Sequence, residues 1–442
     1  PGAKYDADAK GGIINIELNK GEGLGTHGNL DLTYGTGDRY NGSLKLSHQT
    51  KDYLIYGGYD LRRSIQNGTF TTRRQTFDEN EQALFQQGAI NRKRVNQNFK
   101  YGGDYFFGRN QLTYEGVYRR GKDRDNEFRR SDVLHAEDAQ HTDRYNVETE
   151  DGDALDNALI YERNFEKEGQ SFKAQISHST RRNSEIQNIE SIPLSTNGGQ
   201  RDQQRGSTVE GRSVSVFQLD YGHPFTDSKR IETGFKTVLR NFDNDFTFEV
   251  FNPSEASWLN QPHVSNRFLY EEQVHAFYVT YSQKLEKFNF SLGNRFEKAI
   301  INTTQYALNE RNRLSYLNLF PSANLQYHIS KMQDLRFTYS RRIDRPGAWR
   351  LNPFPDIADS LNIRTGNPRL QPEYIQSLEL GHHITFKKWD LTSTLFYRYT
   401  SGIVDYIVTV DDNGISHGRP ENLNRGYDIG VEFIGSASLA DW

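Results

Sequence analysis

The sequence has no cysteine, a single methionine and only 12 prolines among its 442 residues. Without cysteine, a disulfide framework, a thiolate nucleophile or a cysteine-based metal site cannot form. Long apolar runs are also missing, since none approaches the roughly 18 residues that a membrane helix needs. The formal net charge of −4 gives no single-sign field, which argues against nucleic acid as a partner.

The composition is polar but rich in aromatic residues. Mean hydropathy is −0.84 and 34% of the residues are hydrophobic, yet there are 25 Tyr, 27 Phe and 37 Gly. Disordered chains are poor in aromatics, and a large soluble core would need more aliphatic residues. A β-barrel with lipid outside and water inside needs apolar side chains only at alternate positions, which suits this composition.

Apolar side chains recur at every second position in stretches of about ten to fifteen residues. Leu30, Leu32 and Tyr34 are typical, and polar residues stand between them. Strands of soluble proteins run about five or six residues, whereas crossing a bilayer takes about 9–11. The intervening positions should face the interior; they include Lys45, Thr113, Glu115, Arg119, Asp220, Ser291, Arg295, Asp428 and Glu432.

Connection lengths indicate the same architecture. Short connections are predicted near 50–52, 108–110, 166–170, 222–228, 284–287, 328–332 and 386–388. Long polar loops are predicted between them, near 67–92, 123–152, 186–208, 244–268 and 346–370. Outer-membrane barrels combine tight periplasmic turns with long extracellular loops. The sequence therefore predicts an all-β protein, a transmembrane antiparallel β-barrel with about sixteen strands over residues 24–434.

Two segments resemble the TonB-dependent receptors, particularly the outer-membrane β-barrel family common in Bacteroidota. Residues 1–7 (PGAKYDA) and 11–16 (GGIINI) are similar to the last strand of that family's plug domain; the matching residues are Tyr5, Asp6, Gly11 and Gly12. Residues 339–346 (YSRRIDRP) and 351–354 (LNPF) are similar to a late-barrel signature. It continues at 366–373 (GNPRLQPE), where the matching residues are Gly366, Asn367, Pro368, Leu370, Pro372 and Glu373.

The resemblance implies a domain organisation and a function. Residues 1–20 would end a plug domain, and residues 21–442 would form about sixteen of the 22 barrel strands expected in the family. The chain would then be part of a longer mature protein in a Gram-negative outer membrane, with its long loops extracellular. A TonB-type energy transducer would act through the plug to import an extracellular ligand. Outer-membrane lipid and a surface lipoprotein, or other envelope proteins, are further expected partners.

Three local patterns allow other interpretations. Residues 23–28 fit the G-x-G-x-x-G dinucleotide pattern, but the strand-like stretch that follows argues against a nucleotide site. The region 123–153 could hold a metal, although no known ligand spacing appears there; its candidate ligands are Asp125, Glu127, Asp132, His135, Glu137, Asp138, His141 and Asp143. Arg341, Arg342 and Arg345, opposite Asp356 and Asp359, could contact an anionic ligand at the barrel rim or form rim salt bridges.

No catalytic constellation can be assembled, and no cofactor or metal is expected. Import through a plugged barrel is therefore the leading hypothesis. A receptor-like barrel that serves as a docking or assembly scaffold, without transport, is the alternative. A barrel without a plug, working as a porin, is a third possibility.

Overall fold

The computed structural model of the chain describes residues 2–9, 23–75, 83–134, 139–194, 200–355, 362–386, 388–410 and 416–438. Within these ranges there are twenty strands and one short helix. The elements are β1 (Gly25–Gly35), β2 (Arg39–Gln49), β3 (Tyr53–Gln75), β4 (Ala83–Phe107), β5 (Asn110–Leu134), β6 (Ala139–Asn164), β7 (Ser171–Pro193), β8 (Asp202–Thr226), β9 (Lys229–Asn252), β10 (Ser257–Asn260), β11 (Asn266–Lys284), β12 (Phe288–Gln305), β13 (Glu310–Ser330), β14 (Gln333–Asp344), α1 (Ala348–Leu351), β15 (Asn362–Arg364), β16 (Glu373–Thr385), β17 (Trp389–Ser401), β18 (Val404–Val410), β19 (Ser416–Asn422) and β20 (Arg425–Ala437).

One antiparallel sheet contains seventeen of the described strands. Each of its long strands pairs with the next long strand along the chain, from β1–β2 to β17–β20. The seventeenth strand is the four-residue β10, which pairs with β9. Sixteen long strands in the described part of the chain confirm the predicted number. A separate small sheet joins β15, β18 and β19.

The predicted short connections are confirmed in position, although residues 222–226 belong to β8, residues 328–330 belong to β13, and residue 387 lies outside the described residues. The predicted long loops at 67–92, 123–152, 186–208 and 244–268 are wrong. Most of those residues continue the strands, so β3 to β9 are 23–26 residues long. A strand that extends beyond the membrane has water on both faces, so its apolar alternation stops while its hydrogen-bond ladder continues. The region 346–370 does contain irregular chain, together with α1 and β15.

Cross-strand register separates the two faces of the large sheet. We call the inner face the one that contacts residues 2–9; it carries Asp220, Lys236 and Arg295. Paired residues share a face, and every polar position predicted to face the interior lies on this inner face. The opposite, outer face carries the apolar series, with Leu30, Leu32 and Tyr34 64–75% exposed. The predicted alternation is therefore confirmed.

Candidate functional site

The N-terminal segment, residues 2–9, lies against the inner face of β8, β9, β12, β13 and β14. It is folded into two turns, in which the amides of Tyr5 and Ala9 donate to the carbonyls of Gly2 and Asp6. Ala3 and Ala7 are buried against the sheet, whereas Tyr5 is 39% exposed. Gly11 and Gly12, the other two residues of the predicted motif, lie outside the described residues.

Asp6 is the main polar contact of the N-terminal segment. Its carboxylate accepts hydrogen bonds from Lys236 Nζ at 2.6 Å and from Arg295 Nη2 at 3.0 Å. Arg342 Nη1 donates to the Asp6 carbonyl, also at 3.0 Å. Burial alone would raise the pKa of Asp6, but the charges of Lys236 and Arg295 outweigh burial and hold this pKa below its usual value. Asp6 is therefore ionised at neutral pH.

Asp8 makes a second, looser set of contacts. Its carboxylate lies 3.8 Å from Arg240 Nη2 and 3.6 Å from Arg345 Nη1. The two arginines also meet carboxylates of the sheet: Arg240 binds Glu272 at 2.6 Å, and Arg345 contacts Glu272 and Glu297. Glu297 in turn accepts from Arg295 Nε at 2.5 Å.

These ionic side chains form one connected cluster, which we call the inner ion network. Its members are Asp6, Asp8, Lys236, Arg240, Glu272, Arg295, Glu297, Arg342 and Arg345. The sheet and the start of the following loop contribute five cations but only two carboxylates. Asp6 and Asp8 supply two further negative charges. Buried charges need partners of opposite sign. The N-terminal segment therefore supplies carboxylates that pair with the excess cations of the inner face.

Apolar contact between the N-terminal segment and the sheet is small. Ala7 packs with Phe320 and Ile343, and its carbonyl accepts a hydrogen bond from the Ile343 amide at 3.1 Å. A Cβ atom on Gly293 would lie 2.9 Å from Cβ of Ala3, so glycine allows the segment to approach the wall closely at that point. The segment is consequently held mainly by charge and hydrogen bonds.

The predicted late-barrel motif fixes the loop between β14 and β16. The amide of Gly366 donates to the Asn352 carbonyl at 2.8 Å, and a Cβ on Gly366 would lie 2.4 Å from that oxygen. Asn367, 3% exposed, donates through Nδ2 to the Pro420 carbonyl and to Glu421. Its Oδ1 accepts from the amide of Arg369. The motif thus ties this loop to β19.

Leu370 completes an apolar cluster over the inner face. Leu351 of α1 and Leu370 are fully buried with Phe268, Tyr270 and other residues of β9, β11 and β12. Pro368 and Pro372 precede β16, as expected for residues that cannot donate to a sheet ladder, and Glu373 begins that strand. The carboxylate of Glu373 accepts from the Val404 amide at 3.0 Å. The loop therefore packs on the inner face beside the inner ion network.

Asn367 should be important for the position of this loop. Asn367→Ala removes three hydrogen bonds of a buried side chain, and we expect a local loss of about 2–4 kcal/mol, at about 1 kcal/mol or slightly more for each bond. The expected result is faster proteolysis and hydrogen exchange within residues 345–372. Exposed Asn424→Ala provides the control and should leave both rates unchanged; equal rates in the two variants would show that the motif does not hold the loop.

The structure separates the three arginines of the predicted rim. Arg342 and Arg345 belong to the inner ion network, with Arg345 only 7% exposed. Arg341 lies over the ring of Tyr374, 4.9 Å from its centroid, and donates to the Leu319 carbonyl. Their proposed acidic partners, Asp356 and Asp359, lie outside the described residues. Contact of these arginines with a ligand stays a prediction.

The acidic region 123–153 is a strand pair, so its prediction as a loop is wrong. Register places its carboxylates on both faces, and they pair locally: Asp125 with Arg92, Glu127 with Arg129, Asp132 with His141, and Asp143 with Arg130. His135, Glu137 and Asp138 lie outside the described residues. Within the described ranges, no group of three or more His, Cys, Asp or Glu residues is arranged to hold a metal ion.

The sequence interpretation missed several members of the network. Lys236, Arg240 and Glu297 are inner-face positions that each follow one apolar outer-face residue, Phe235, Leu239 and Phe296, and this alternation was their only signal. Glu272 lacks even that signal, because it stands between Glu271 and Gln273. Nothing local indicates that they meet Asp6, since 230 positions separate Asp6 from Lys236. Contacts of that kind are set by the fold as a whole.

The docking of the N-terminal segment should depend on pH through Asp6. Because the docked state lowers the pKa of Asp6, this carboxylate contributes its full stabilisation at neutral pH and loses it as pH falls through the lowered pKa. We expect docking to persist from pH 7 to 5 and to weaken only below about pH 4. A spin label at Gly2→Cys, a position with open space around it, would report segment mobility. Release at pH 6 would contradict this assignment.

An antiparallel sheet of long strands, apolar on its outer face and charged on its inner face, defines the class of outer-membrane β-barrel proteins. Within the described residues, no helix is both long enough and apolar enough to cross a membrane. The chain belongs to the Outer membrane protein beta-barrel family, whose family model matches residues 163–442. It is accordingly a protein of the outer membrane.

Solved structures of similar fold are outer-membrane receptors and transporters. The copper transporter OprC is 11% identical, with a TM-score of 0.59, and the match covers 96% of this chain and 60% of that one. The ferripyoverdine receptor of Pseudomonas aeruginosa is 12% identical, with a TM-score of 0.59 and coverages of 95% and 55%. The ferric yersiniabactin uptake receptor FyuA from Yersinia pestis is 12% identical, with a TM-score of 0.54 and coverages of 95% and 59%.

The chain thus spans 55–60% of the length of these structures. At 11–12% identity, the similarity concerns the fold. No match was found among curated proteins.

Proposed function

We propose that the chain forms most of a closed and plugged β-barrel that imports an extracellular ligand with energy from a TonB-type transducer. The N-terminal segment would be the end of the plug, in residues 1–20, and residues 21–442 would belong to the barrel. The late-barrel motif further suggests the Bacteroidota type of TonB-dependent receptor, for which a surface lipoprotein is a possible partner class.

The inner ion network carries this proposal. An importer needs a plug that stays in place at rest and yet can be displaced, and the N-terminal segment is held by ion pairs with little apolar burial. Charged side chains that separate can be rehydrated, whereas an apolar interface would lose its whole hydrophobic contribution. A porin would have no need of five inner-face cations that match an acidic N-terminal segment.

The position of the loop between β14 and β16 also supports import through a plugged barrel. The loop held by the late-barrel motif packs on the inner face beside the N-terminal segment, so the two segments cover neighbouring parts of the sheet. Proteins of similar fold include a copper transporter and a ferric yersiniabactin uptake receptor, which together provide a first panel of ligands. We infer a small extracellular nutrient of this kind, without choosing among them.

Uptake in a deletion strain tests the proposal. Cells that lack this protein would be offered iron-55 siderophores, haem and copper-64, with complementation by the full-length gene. We expect one uptake to be lost, and lost equally in a strain without the TonB-type transducer. If every uptake is normal, import is wrong. Stoichiometric envelope proteins in the purified sample would then favour a scaffold, and a large steady single-channel conductance would favour a porin.

A further inference from the structure

The outer face of β4 to β7 carries a compact group of cations directly above its apolar belt. Apolar residues recur on this face at Ala89, Phe128 and Tyr145, five rows higher than the end of the continuous belt. The uppermost row of that continuous belt joins Phe99, Tyr118 and Leu155 across β4, β5 and β6. The three outward rows above it contain five cations, Lys93, Arg120, Lys122, Arg124 and Arg182, which we call the outer basic patch. "Above" means toward the long hairpins.

Carboxylates only partly neutralise this patch. Asp151 and Asp153 are the acidic residues in the same three rows, so the rows carry a net charge of +3 in a chain whose total is −4. Asp151 is shared between Arg120 at 3.3 Å and Lys122 at 3.1 Å. Among the described residues, Lys93, Arg124 and Arg182 form no ion pair. All five cations are exposed.

The patch surrounds a depression with an apolar floor. A groove of about 500 Å³ is lined by Lys93, Lys122 and Arg124 together with Val95 and Ile186. Asp151 also lines it, as do Asp123 and Glu150, a cross-strand pair that belongs to the inner face. Ile186 is 42% exposed, although it lies among charged residues. A groove of this kind suits an amphiphilic ligand, because the cations can bind an anionic headgroup and the apolar residues can contact hydrocarbon.

Position identifies the ligand class. In an outer-membrane protein, the apolar belt faces hydrocarbon, so the rows directly above it lie at the level of the lipid headgroups. Basic residues at that level attract anionic headgroups, at about 1 kcal/mol for each Lys or Arg. We propose that the outer basic patch binds the phosphorylated headgroup of a glycolipid in the outer leaflet. Its acyl chains would lie along Phe99, Tyr118 and Leu155.

The test compares two matched triple variants of the full-length protein in mild detergent. Lys93→Gln, Lys122→Gln and Arg124→Gln together neutralise the patch. Lys298→Gln, Arg311→Gln and Arg313→Gln neutralise three exposed outer-face cations of β12 and β13, which form no ion pair within the described residues. Native mass spectrometry with bis-phosphorylated lipid A, dephosphorylated lipid A and inorganic phosphate would give the three affinities.

We expect the patch variant to bind bis-phosphorylated lipid A roughly 10- to 100-fold more weakly than wild type, and the control to change less than about twofold. Asp151→Asn should bind it more tightly, because two cations are freed. Equal binding by both triple variants would overturn the proposal, as would equal binding of dephosphorylated lipid A or displacement by inorganic phosphate at the same concentration. If the patch variant fails to fold, Asp151→Asn decides, and unchanged affinity there rejects the proposal.

Discussion

Arg345→Met should destabilise the inner ion network more than any other single substitution in it. The Arg345 guanidinium contacts Glu272, Glu297 and Asp8, and the two glutamates are 3% and 2% exposed. Removing a buried cation leaves carboxylates that are no longer fully compensated, which costs about 3–5 kcal/mol. Because Arg345 begins the loop that leads to α1, we expect loss of stability together with faster proteolysis of residues 345–372.

Arg341→Met is the matched control, four positions away in the sequence. Its side chain lies over Tyr374 and makes no ion pair among the described residues, so we expect a change of at most about 1 kcal/mol. A second substitution, Glu297→Gln, removes one of the carboxylates left by Arg345→Met and should restore part of the lost stability. Thermal unfolding in detergent would measure all four proteins. Equal losses for Arg341→Met and Arg345→Met would contradict the network.

Asp6→Ala should release the N-terminal segment while leaving the large sheet intact. The substitution removes hydrogen bonds from Lys236 and Arg295, and Arg295 is 2% exposed. We expect docking to weaken by about 3 kcal/mol, the lower end of the range for a broken buried ion pair. A spin label at Gly2→Cys should then change from restricted to rapid motion. The sequence contains no native cysteine to compete for the label.

Asp8→Ala is the natural comparison for this experiment. Asp8 is 3.6 Å or more from its partners and 35% exposed, so its loss should weaken docking by at most about 1 kcal/mol. The label should therefore remain largely restricted. Similar release in both variants would mean that docking depends on the total charge of the segment, and that the contacts of Asp6 have no special importance. No release in either variant would mean that apolar contact and the Ala7–Ile343 hydrogen bond are sufficient to hold the segment on the sheet.

The fold was largely predictable because lipid and water impose opposite demands on alternate residues. Leu30, Leu32 and Tyr34 identify their strand by this alternation. The same signal fails for β5 and β6 beyond about residue 123, where both faces are wet and the strands are held by backbone pairing and ion pairs such as Arg130–Asp143. The alternation of apolar and polar residues therefore predicts which parts of the strands cross lipid, but it does not predict where the strands end.

The candidate site was predictable only in part. The two motifs pointed to Asp6 and to Asn367, but their partners are remote in sequence and carry no motif of their own. The sequence alone gives no reason to assign different roles to the three arginines at 341, 342 and 345. Register and the path of the following loop place Arg342 and Arg345 in the inner ion network and leave Arg341 against Tyr374.

A reversible covalent lock on the N-terminal segment would test the proposed import most directly. Cysteines at Ala3 and Gly293 would have Cβ atoms about 1 Å closer than a relaxed disulfide prefers, a shift that a short segment can accommodate. The measurement is accumulation of the nutrient whose uptake the deletion strain has lost, in cells that carry the oxidised or the reduced double variant. We expect oxidation to abolish uptake and reduction to restore it. Full uptake through the locked protein would contradict import by displacement of the segment.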